Sequence, residues 1–282
     1  MAKLRANARS IKTHYWRPRT DYASEIVASI RGRVSDGDIV LISEKAIAVA
    51  SGLIVDEATV KPGLFAKWLA TVWIRRLWGG PIGRITRLRR KTIENLKKYP
   101  IQEGSAHKQL VLRSTGLLQA LRHYSEGGID ASNVPYSYVC LPIKNSEAVA
   151  TELREAILSE TGVETTVIIV DGDVTFSWRN LHLAPRNVQT PGLIHIGGVF
   201  TFILGRILKL RSRQTPIAIS GEKLNPDRAL WLAKLHHRQS GRGLGRTVWS
   251  MSNQMNTSLT GITWEMLDSA EHRPITLVSL ED

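Results

Sequence analysis

The run Thr165-Thr166-Val167-Ile168-Ile169-Val170-Asp171-Gly172-Asp173 decides the fold class of this chain. Its first six residues are all β-branched, which is typical of a central strand buried on both faces. We expect the strand to end at the Asp-Gly-Asp sequence, because these residues favour turns. A helix predicted over 147–158 and ending at Gly162 precedes the strand, so the passage is βαβ-like.

Further elements are predicted on either side of this passage. Apolar runs between turn signals predict strands over 39–42, 107–113, 136–141, 216–219 and 274–278. Helices are predicted over 64–78, over 84–98, after an Asn225 cap with Pro226 at the first position, and over 263–271. Because helices and strands do not alternate regularly, we predict an α+β fold with a mixed sheet rather than a doubly wound fold.

Two portions of the chain are predicted to share this fold. A weak boundary near Pro191-Gly192 separates residues 1–190 from a C-terminal α/β portion, 191–282, which we expect to pack on the same fold. Within the first portion, the predicted helices between residues 64 and 98 form a basic helical insertion.

The charge of the chain points to an anionic partner. The 282 residues carry a formal net charge of +13, which favours a nucleotide, a nucleic acid or an anionic membrane surface. Residues 67–98 hold ten Lys or Arg and one acid, Glu94. The tryptophans Trp68, Trp73 and Trp78 in this region are typical of a basic helix that contacts a membrane, RNA or a partner subunit, and equally of helices packed on a core.

The cellular compartment is predicted from the N-terminus and from cysteine usage. The stretch Met1-Ala2-Lys3-Leu4-Arg5 leads into no apolar segment, which argues against a secretory signal. The single cysteine, Cys140, excludes an internal disulfide framework and indicates a buried strand thiol in a reducing compartment. The segments 64–78 and 199–210 are the most apolar of the chain but too short to span a bilayer. We predict a cytoplasmic protein, with peripheral membrane contact as the alternative.

Common nucleotide and zinc motifs are absent from the sequence. No Walker-type glycine-lysine motif occurs, and no Gly-x-Gly-x-x-Gly follows a predicted strand. One cysteine and the adjacent pair His236-His237 do not match zinc-ligand spacings. The stretch Gly241-Arg242-Gly243-Leu244-Gly245-Arg246 is either a phosphate-binding loop or a flexible basic linker.

Carboxylates in glycine-containing turns are better candidates for a metal site. Asp130 and Asp171 each follow or end an apolar segment, where their oxygens can converge on Mg²⁺ or Mn²⁺. Asp173 faces the same side as Asp171 if the chain stays extended. The competing interpretation of Asp171-Gly172-Asp173 is a simple turn. Ser132 and Asn133 add short neutral ligands or helix-cap groups beside Asp130.

These residues carry a resemblance to a known family. Gly128-Ile129-Asp130-Ala131-Ser132-Asn133-Val134 resembles the core motif of the coenzyme F-420 γ-glutamyl ligases. Asp36-Gly37-Asp38-Ile39-Val40 through Lys45 and Gly52 is similar to the family's N-terminal strand, lysine and glycine, and the passage from Leu153 to Asp171 is similar to its helix, strand and aspartate.

The resemblance implies an activity, a fold and a set of site residues. Members of the family use GTP, a divalent metal and K⁺ to form an amide between a carboxylate of the deazaflavin precursor and the amino group of L-glutamate. They have a two-lobed α+β fold and form homodimers. By resemblance, Lys45 is catalytic and binds the phosphates of GTP or ATP together with Ser43 and Asn133, and Asp130, Asp171 and Asp173 hold Mg²⁺ or Mn²⁺. The alternative for Lys45 is an exposed lysine that follows a strand.

The chain also departs from the family pattern. Ala48-Val49-Ala50-Ser51 stands where the family has Ser-Lys-Ala-Glu, and Glu126 stands in place of an asparagine. After Asp171, Gly172 replaces a threonine and Val174-Thr175 replaces Gly-Arg. We therefore predict a nucleotide- and metal-dependent amide ligase with a changed acid substrate. The alternative is a non-catalytic family member that binds nucleic acid or an anionic membrane through its basic face.

Overall fold

The computed structural model describes residues 5–124, 126–241 and 243–281. Met1-Ala2-Lys3-Leu4 of the N-terminal stretch and Arg242 of the glycine-rich loop therefore lie outside the described residues.

Nine strands are found in the described part of the chain. In chain order they are β1 Arg5–Thr13, β2 Ile39–Ser43, β3 Ile54–Asp56, β4 Tyr138–Cys140, β5 Thr166–Trp178, β6 Leu181–Ala184, β7 Ile194–His195, β8 Arg211–Ser220 and β9 His272–Glu281. Seven of them form one mixed sheet in the order β1-β9-β2-β5-β6-β7, with β8 also paired to β5, while β3 and β4 form a separate two-stranded sheet. β2 runs parallel to β5, and β8 and β9 run antiparallel to their neighbours.

The helices surround this sheet. They are α1 Tyr22–Ile30, α2 Glu44–Ala50, α3 Leu64–Trp68, α4 Pro81–Ile85, α5 Arg90–Lys97, α6 Ile101–Ser114, α7 Leu117–Ala120, α8 Ser146–Thr161, α9 Val199–Ile207, α10 Pro226–Gln239, α11 Val248–Met255 and α12 Trp264–Asp268. A 3-10 turn, Glu57–Thr59, and a π-helical segment, Leu69–Trp78, complete the set. None of the described helices combines the length and the apolar character needed to cross a membrane.

Both faces of the central strands are buried. Val40 and Ile42 of β2 pack with residues of α1, α2 and α8 on one face, and Ile39 and Leu41 pack with Leu232 and Ala233 of α10 on the other. This arrangement explains why β2 and the first half of β5 read as continuous apolar runs, since residues 39–42 and 166–170 are all buried.

A second packed region lies beside the sheet and includes the basic helices. The π-helical segment, α5 and α9 share an apolar cluster that contains Ile74, Trp78, Leu96 and Val199. The indoles of Trp73 and Trp78 both donate hydrogen bonds to the carbonyl of Leu121. Packing on the core therefore accounts for two of the three tryptophans, whereas Trp68 remains exposed.

Most of the predicted elements are present, and the α+β fold is confirmed. Three predictions were wrong: two concern helices, and the third, the end of the strand at Asp171, is described with the site. The segment 107–113 belongs to helix α6 and is not a strand, and its buried residues Lys108 and Val111, three positions apart, lie on one helix face. The single helix predicted over 84–98 is broken into α4 and α5 by a connector in which Arg87 has a positive φ of 54°.

Candidate active site

A cavity of about 520 Å³ lies at the carboxyl ends of the two parallel strands. Ser43, the last residue of β2, is opposite Val170 of β5, so Lys45 and Asp171 follow at the same edge of the sheet. Both side chains line the cavity, as do Ser43 and Val170. A cavity of this volume is large enough for a nucleotide or a small acid.

The loop that contains the family-like motif, residues 128–134 and called the motif loop below, brings Asp130 to the same cavity. Asp130 exchanges two backbone hydrogen bonds with Cys140 at the end of β4, and this pairing holds the loop in place. The Lys45 ammonium lies 2.5 Å from an Asp130 oxygen and donates to the Ser132 hydroxyl at 2.9 Å. Burial alone would raise the pKa of Asp130, but Lys45 and hydrogen bonds from Ser132 lower it from the ordinary carboxyl value. Asp130 is therefore ionised at neutral pH and paired with Lys45.

Asp171 is paired with an arginine that the sequence did not single out. The buried guanidinium of Arg186 donates to both Glu44 and Asp171, and its second nitrogen reaches Glu44 at 3.0 Å. Although burial opposes the charge, the two carboxylates raise the pKa of Arg186 well above its ordinary value. Gly128 lies against this guanidinium, where a Cβ would come within 2.7 Å of a guanidinium nitrogen. The motif glycine thus leaves room for the arginine.

Asp173 lies in a β-bulge and has a separate partner. The strand does not end at Asp171-Gly172-Asp173 as expected but continues to Trp178, and its pairing with β8 shifts between Asp171 and Val174. Bulges of this kind commonly redirect a side chain next to a functional site. Here the Asp173 carboxylate accepts a hydrogen bond from Arg122 at 3.1 Å. Both Asp171 and Asp173 line the cavity, but each is paired with a different arginine.

A buried ion cluster forms another part of the cavity wall. The two ring nitrogens of His107 face Glu57, at 2.6 Å, and Glu126, and the Lys108 ammonium also contacts Glu126. Despite burial, the two carboxylates raise the pKa of His107 to about 10. Burial would raise the pKa of Glu126, but Lys108 and His107 lower it to about 2. His107 is therefore protonated and Glu126 is ionised near neutral pH.

The glycine-rich loop reaches the cavity through Asn133. The Asn133 side chain donates to the carbonyl of Gly245 at 2.8 Å and accepts from the amide of Leu244 at 2.8 Å. Gly243 lies directly over this side chain, so a Cβ there would meet the Asn133 oxygen at 2.3 Å. Arg246 and the glycines Gly241, Gly243 and Gly245 line the cavity. The loop is thus a wall of the site, and α11 begins immediately after it.

Comparison with known proteins identifies the family. The family model described as F420-0:Gamma-glutamyl ligase matches residues 10–185. The chain belongs to the F420-0:gamma-glutamyl ligase family. An uncharacterized protein of Methanocaldococcus jannaschii is 32% identical over 287 residues, covering 96% of each chain. The family is one of ligases, and the resemblance seen in the sequence is confirmed.

The departures from the ligase family pattern have structural counterparts. Val49, which stands where the family has lysine, is buried and contributes an apolar part of the cavity wall. Glu126, which stands in place of the family's asparagine, is neutralised by His107 and Lys108. These substitutions change the lining of the cavity while leaving the Asp130 loop in place.

All six residues predicted from the ligase family to act in the site line this one cavity: Ser43, Lys45, Asp130, Asn133, Asp171 and Asp173. Their individual roles remain predictions. Within residues 5–124, 126–241 and 243–281, no group of three His, Cys, Asp or Glu side chains is arranged to enclose a metal ion. His236 instead pairs with Thr276 at 2.9 Å, and burial lowers its pKa to about 3.

The sequence did not reveal the two arginines that pair with Asp171 and Asp173. Arg186 and Arg122 lie outside the stretches that resemble the family motif, and nothing in their neighbouring residues marks them. Glu44 had a signal, because it directly precedes Lys45 at the end of a strand. The His107 cluster was missed because the helix that carries it was predicted as a strand.

Proposed function

We propose that this chain is a nucleotide-dependent ligase that joins a carboxylic acid to an amino acid through an amide bond, with an acid substrate that differs from that of the F420-0:gamma-glutamyl ligases. One arrangement carries the proposal. Lys45, Asp130 and Asp171, which are distant in the chain, line the same cavity as the glycine-rich loop. Perturbed carboxylates and cations gathered in a cavity of this size are typical of an active site.

The reaction has two steps. A carboxylate is a poor acyl donor, so the acid first takes the terminal phosphoryl group of the nucleotide, forming an acyl phosphate and releasing the nucleoside diphosphate. The amino nitrogen then attacks the acyl carbon, the C–N bond forms, and orthophosphate leaves with the electrons of the C–O bond. The amine loses its proton to solvent.

The cavity residues are suited to these steps. Lys45 offers a positive charge to the transferred phosphate, and Asp130 holds Lys45 in place. Arg246 offers a second positive charge to phosphate oxygens, and the backbone N–H groups of the glycine-rich loop offer neutral hydrogen-bond donors. Asn133 sets the position of that loop, which is a positioning role rather than a catalytic one.

A divalent metal fits this site as a partner of the nucleotide. Mg²⁺ is commonly held by one or two carboxylates together with substrate phosphates rather than by a cage of protein ligands alone. Asp130 and Asp171 are the carboxylates that would hold it, since both line the cavity. When bound, such an ion neutralises charge on the phosphates during transfer. K⁺ as an additional cofactor, L-glutamate as the amine and a homodimeric assembly stay predictions from the family.

A changed acid is supported by the lining of the cavity. Val49 supplies an apolar surface where the family has a charged residue. The rings of Tyr99 and Tyr124 pack around Trp249, with centroid separations of 6.4 and 5.7 Å, and all three line the cavity. Aromatic walls of this kind bind flat rings, which suits either a nucleotide base or an aromatic acid.

Nucleotide binding tests the proposal. GTP or ATP with Mg²⁺ or Mn²⁺, at ~100 times the dissociation constant, is expected to stabilise the protein by about 2.7 kcal/mol, or roughly 5 °C in Tm. Lys45→Met is expected to weaken this binding at least tenfold, because it removes the charge that meets the phosphate. Thermal unfolding measured across a nucleotide titration gives both values.

Lys12→Met is the matched control, since Lys12 is exposed on β1 and does not line the cavity. It should bind nucleotide as the natural chain does. If neither nucleotide raises Tm with either metal, and Asp130→Asn leaves that result unchanged, the ligase proposal fails and the non-catalytic alternative is favoured. If nucleotide does bind, orthophosphate release that depends on both L-glutamate and an added acid, drawn from a panel that includes F420-0, identifies the acid.

A further inference from the structure

Helix α9 has apolar residues on its outer face. Phe200 and Leu204, with Leu208 directly after the helix, are spaced four residues apart on one side, and they are exposed to 59%, 55% and 63%. The opposite side, with Val199 and Gly205, packs into the protein. A surface helix normally presents polar residues to water, so an apolar outer stripe needs a partner that covers it.

The end of α4 and the connector that follows it, residues 86–89, lie beside the end of α9 and add an apolar residue and basic residues there. The Arg206 guanidinium donates to the carbonyl of Thr86 at 3.0 Å and to the carbonyl of Arg87 at 2.6 Å, which joins the connector to the end of α9. Ile85, the last residue of α4, is 60% exposed, and Arg84 before it is exposed.

The parts of the chain that form this surface lie within two longer segments that lack acidic residues. The sequence contains no Asp or Glu from residue 58 to 93 or from residue 174 to 221. The first segment contains the connector up to the start of α5, and the second contains the whole of α9. Lys209 and Arg211 follow α9 and are exposed. Positive charge on this surface is therefore not offset by acids of the same segments.

We propose that the apolar stripe of α9 and its basic rim bind the surface of an anionic membrane. In this orientation α9 lies in the plane of the interface, with Phe200, Leu204 and Leu208 at the level of the acyl chains, while Arg84, Arg87 and Lys209 contact lipid phosphates. The nine residues of α9 are too few to span a bilayer, so the contact is peripheral. This property is independent of the proposed ligase activity.

The chemistry of the surface favours a membrane over its rivals. Nucleic acid would account for the arginines but not for a stripe of exposed leucine, isoleucine and phenylalanine, because phosphate backbones offer no apolar surface. A second copy of the chain would bring two basic rims of the same sign together, which opposes association. An anionic bilayer matches both the apolar stripe and its rim.

Vesicle co-sedimentation tests the proposal. The protein is expected to sediment with vesicles of phosphatidylcholine mixed with phosphatidylglycerol, and not with phosphatidylcholine alone. Binding should fall as salt is raised, because surface charge attraction is screened. Each of Arg84→Gln and Arg87→Gln should weaken binding about fivefold, which is the effect of removing one basic residue near an anionic surface.

The apolar stripe is tested separately from charge. The double variant Leu204→Glu, Leu208→Glu is expected to lose vesicle binding about tenfold or more, because carboxylates cannot enter the acyl region. Leu64→Glu is the matched control, since Leu64 is an exposed leucine on α3, outside this surface, and it should bind vesicles as before. Thermal unfolding shows whether each variant remains folded, as exposed positions should allow.

Three results would overturn the proposal. The first is an absence of sedimentation with anionic vesicles, and the second is binding that the double variant leaves intact. The third is a dimer in solution that the same double variant dissociates, because the stripe would then be covered by a second copy. Binding of single-stranded RNA without vesicle binding would assign the basic rim to nucleic acid instead.

Discussion

At the scale of single residues, the site depends on how Arg186 is held between two carboxylates. Glu44 directly follows β2, Asp171 lies at the bulge of the neighbouring strand β5, and Arg186 is the buried cation that keeps them together. Breaking such a pair leaves an uncompensated buried charge, which costs about 3–5 kcal/mol. The small size of Gly128 is what permits this contact, since its φ of 95° and its distance to the guanidinium both exclude a side chain.

Gly128→Ala is therefore expected to disrupt the site. The added methyl group must displace the Arg186 guanidinium, so we expect the free energy of unfolding to fall by about 3 kcal/mol. Urea denaturation of the variant and of the natural chain measures this difference.

The neighbouring Gly172 gives a matched control for this substitution. It lies next to Asp171, and a Cβ there would meet nothing within 4 Å. Gly172→Ala should change the free energy of unfolding by less than about 1 kcal/mol. Equal losses for the two alanine variants would show that Arg186 is not held in the way described.

At the scale of elements, helix α6 contributes the two cations of the buried ion cluster. His107 and Lys108 are adjacent on α6, and they neutralise Glu57 and Glu126 from two other segments. The prediction of a strand failed here because a short apolar run such as Leu110-Val111-Leu112 does not distinguish a strand from a buried helix. Only the helical conformation of this segment brings His107 and Lys108 together against Glu57 and Glu126.

The stability of the protein should depend on pH through His107. Its pKa rises from 6.5 to about 10 in the folded chain. The stabilisation from protonated His107 is therefore fully present below pH 6.5 and is lost as the pH rises through 10. Urea denaturation at a series of pH values across this window is expected to show a falling free energy of unfolding.

His107→Gln removes the titrating group. At neutral pH the variant should be less stable by about 3 kcal/mol, because Glu57 and Glu126 lose their shared cation. Its free energy of unfolding should then fall less steeply than that of the natural chain between neutral pH and pH 10. His195→Gln, at an exposed position, should leave the profile unchanged. A variant with the same alkaline slope as the natural chain would assign that slope to other groups.

At the scale of the whole molecule, the two ends of the chain share one sheet. β9 lies between β1 and β2, and β8 pairs with β5. The family match ends at residue 185, yet the sheet on which the cavity is built needs strands from beyond that point. The C-terminal residues are thus part of the same folded unit as the motif loop.

A fragment of residues 1–190 is expected not to fold alone. Without β8 and β9, both edges of the β2–β5 pair lose partners, and the buried face of α10 is also missing. Circular dichroism should show no cooperative thermal transition for this fragment. Co-expression with residues 191–282 should restore a cooperative transition. That result would show that the fragment failed to fold because it lacked β8 and β9, and not because the fragment was damaged. A cooperative transition for 1–190 alone would show that the two portions are independent domains.

Local patterns predicted much of the fold and part of the site. The β-branched run before Asp171, the Asn225 cap with Pro226, and the glycine motif around Asp130 all occur where they were expected. The edge strand β1 was not predicted, because its arginines and polar residues lack an apolar pattern. The bulge at Gly172 and Asp173 was also missed, since a turn signal does not exclude a strand that continues after a kink.

The sequence by itself determined the family and the α+β class, and it predicted Lys45, Asp130 and Asp171 as site residues, because these depend on motifs and on periodicities within short segments. Only the tertiary structure decided that Arg186 and Arg122 neutralise two of the aspartates, and that α9 presents leucines to its surroundings. Ion pairs join residues that are far apart in the chain, and the outer face of an apolar helix depends on what packs against it. The local sequence therefore predicts neither the partner of a buried charge nor the exposed face of an apolar helix.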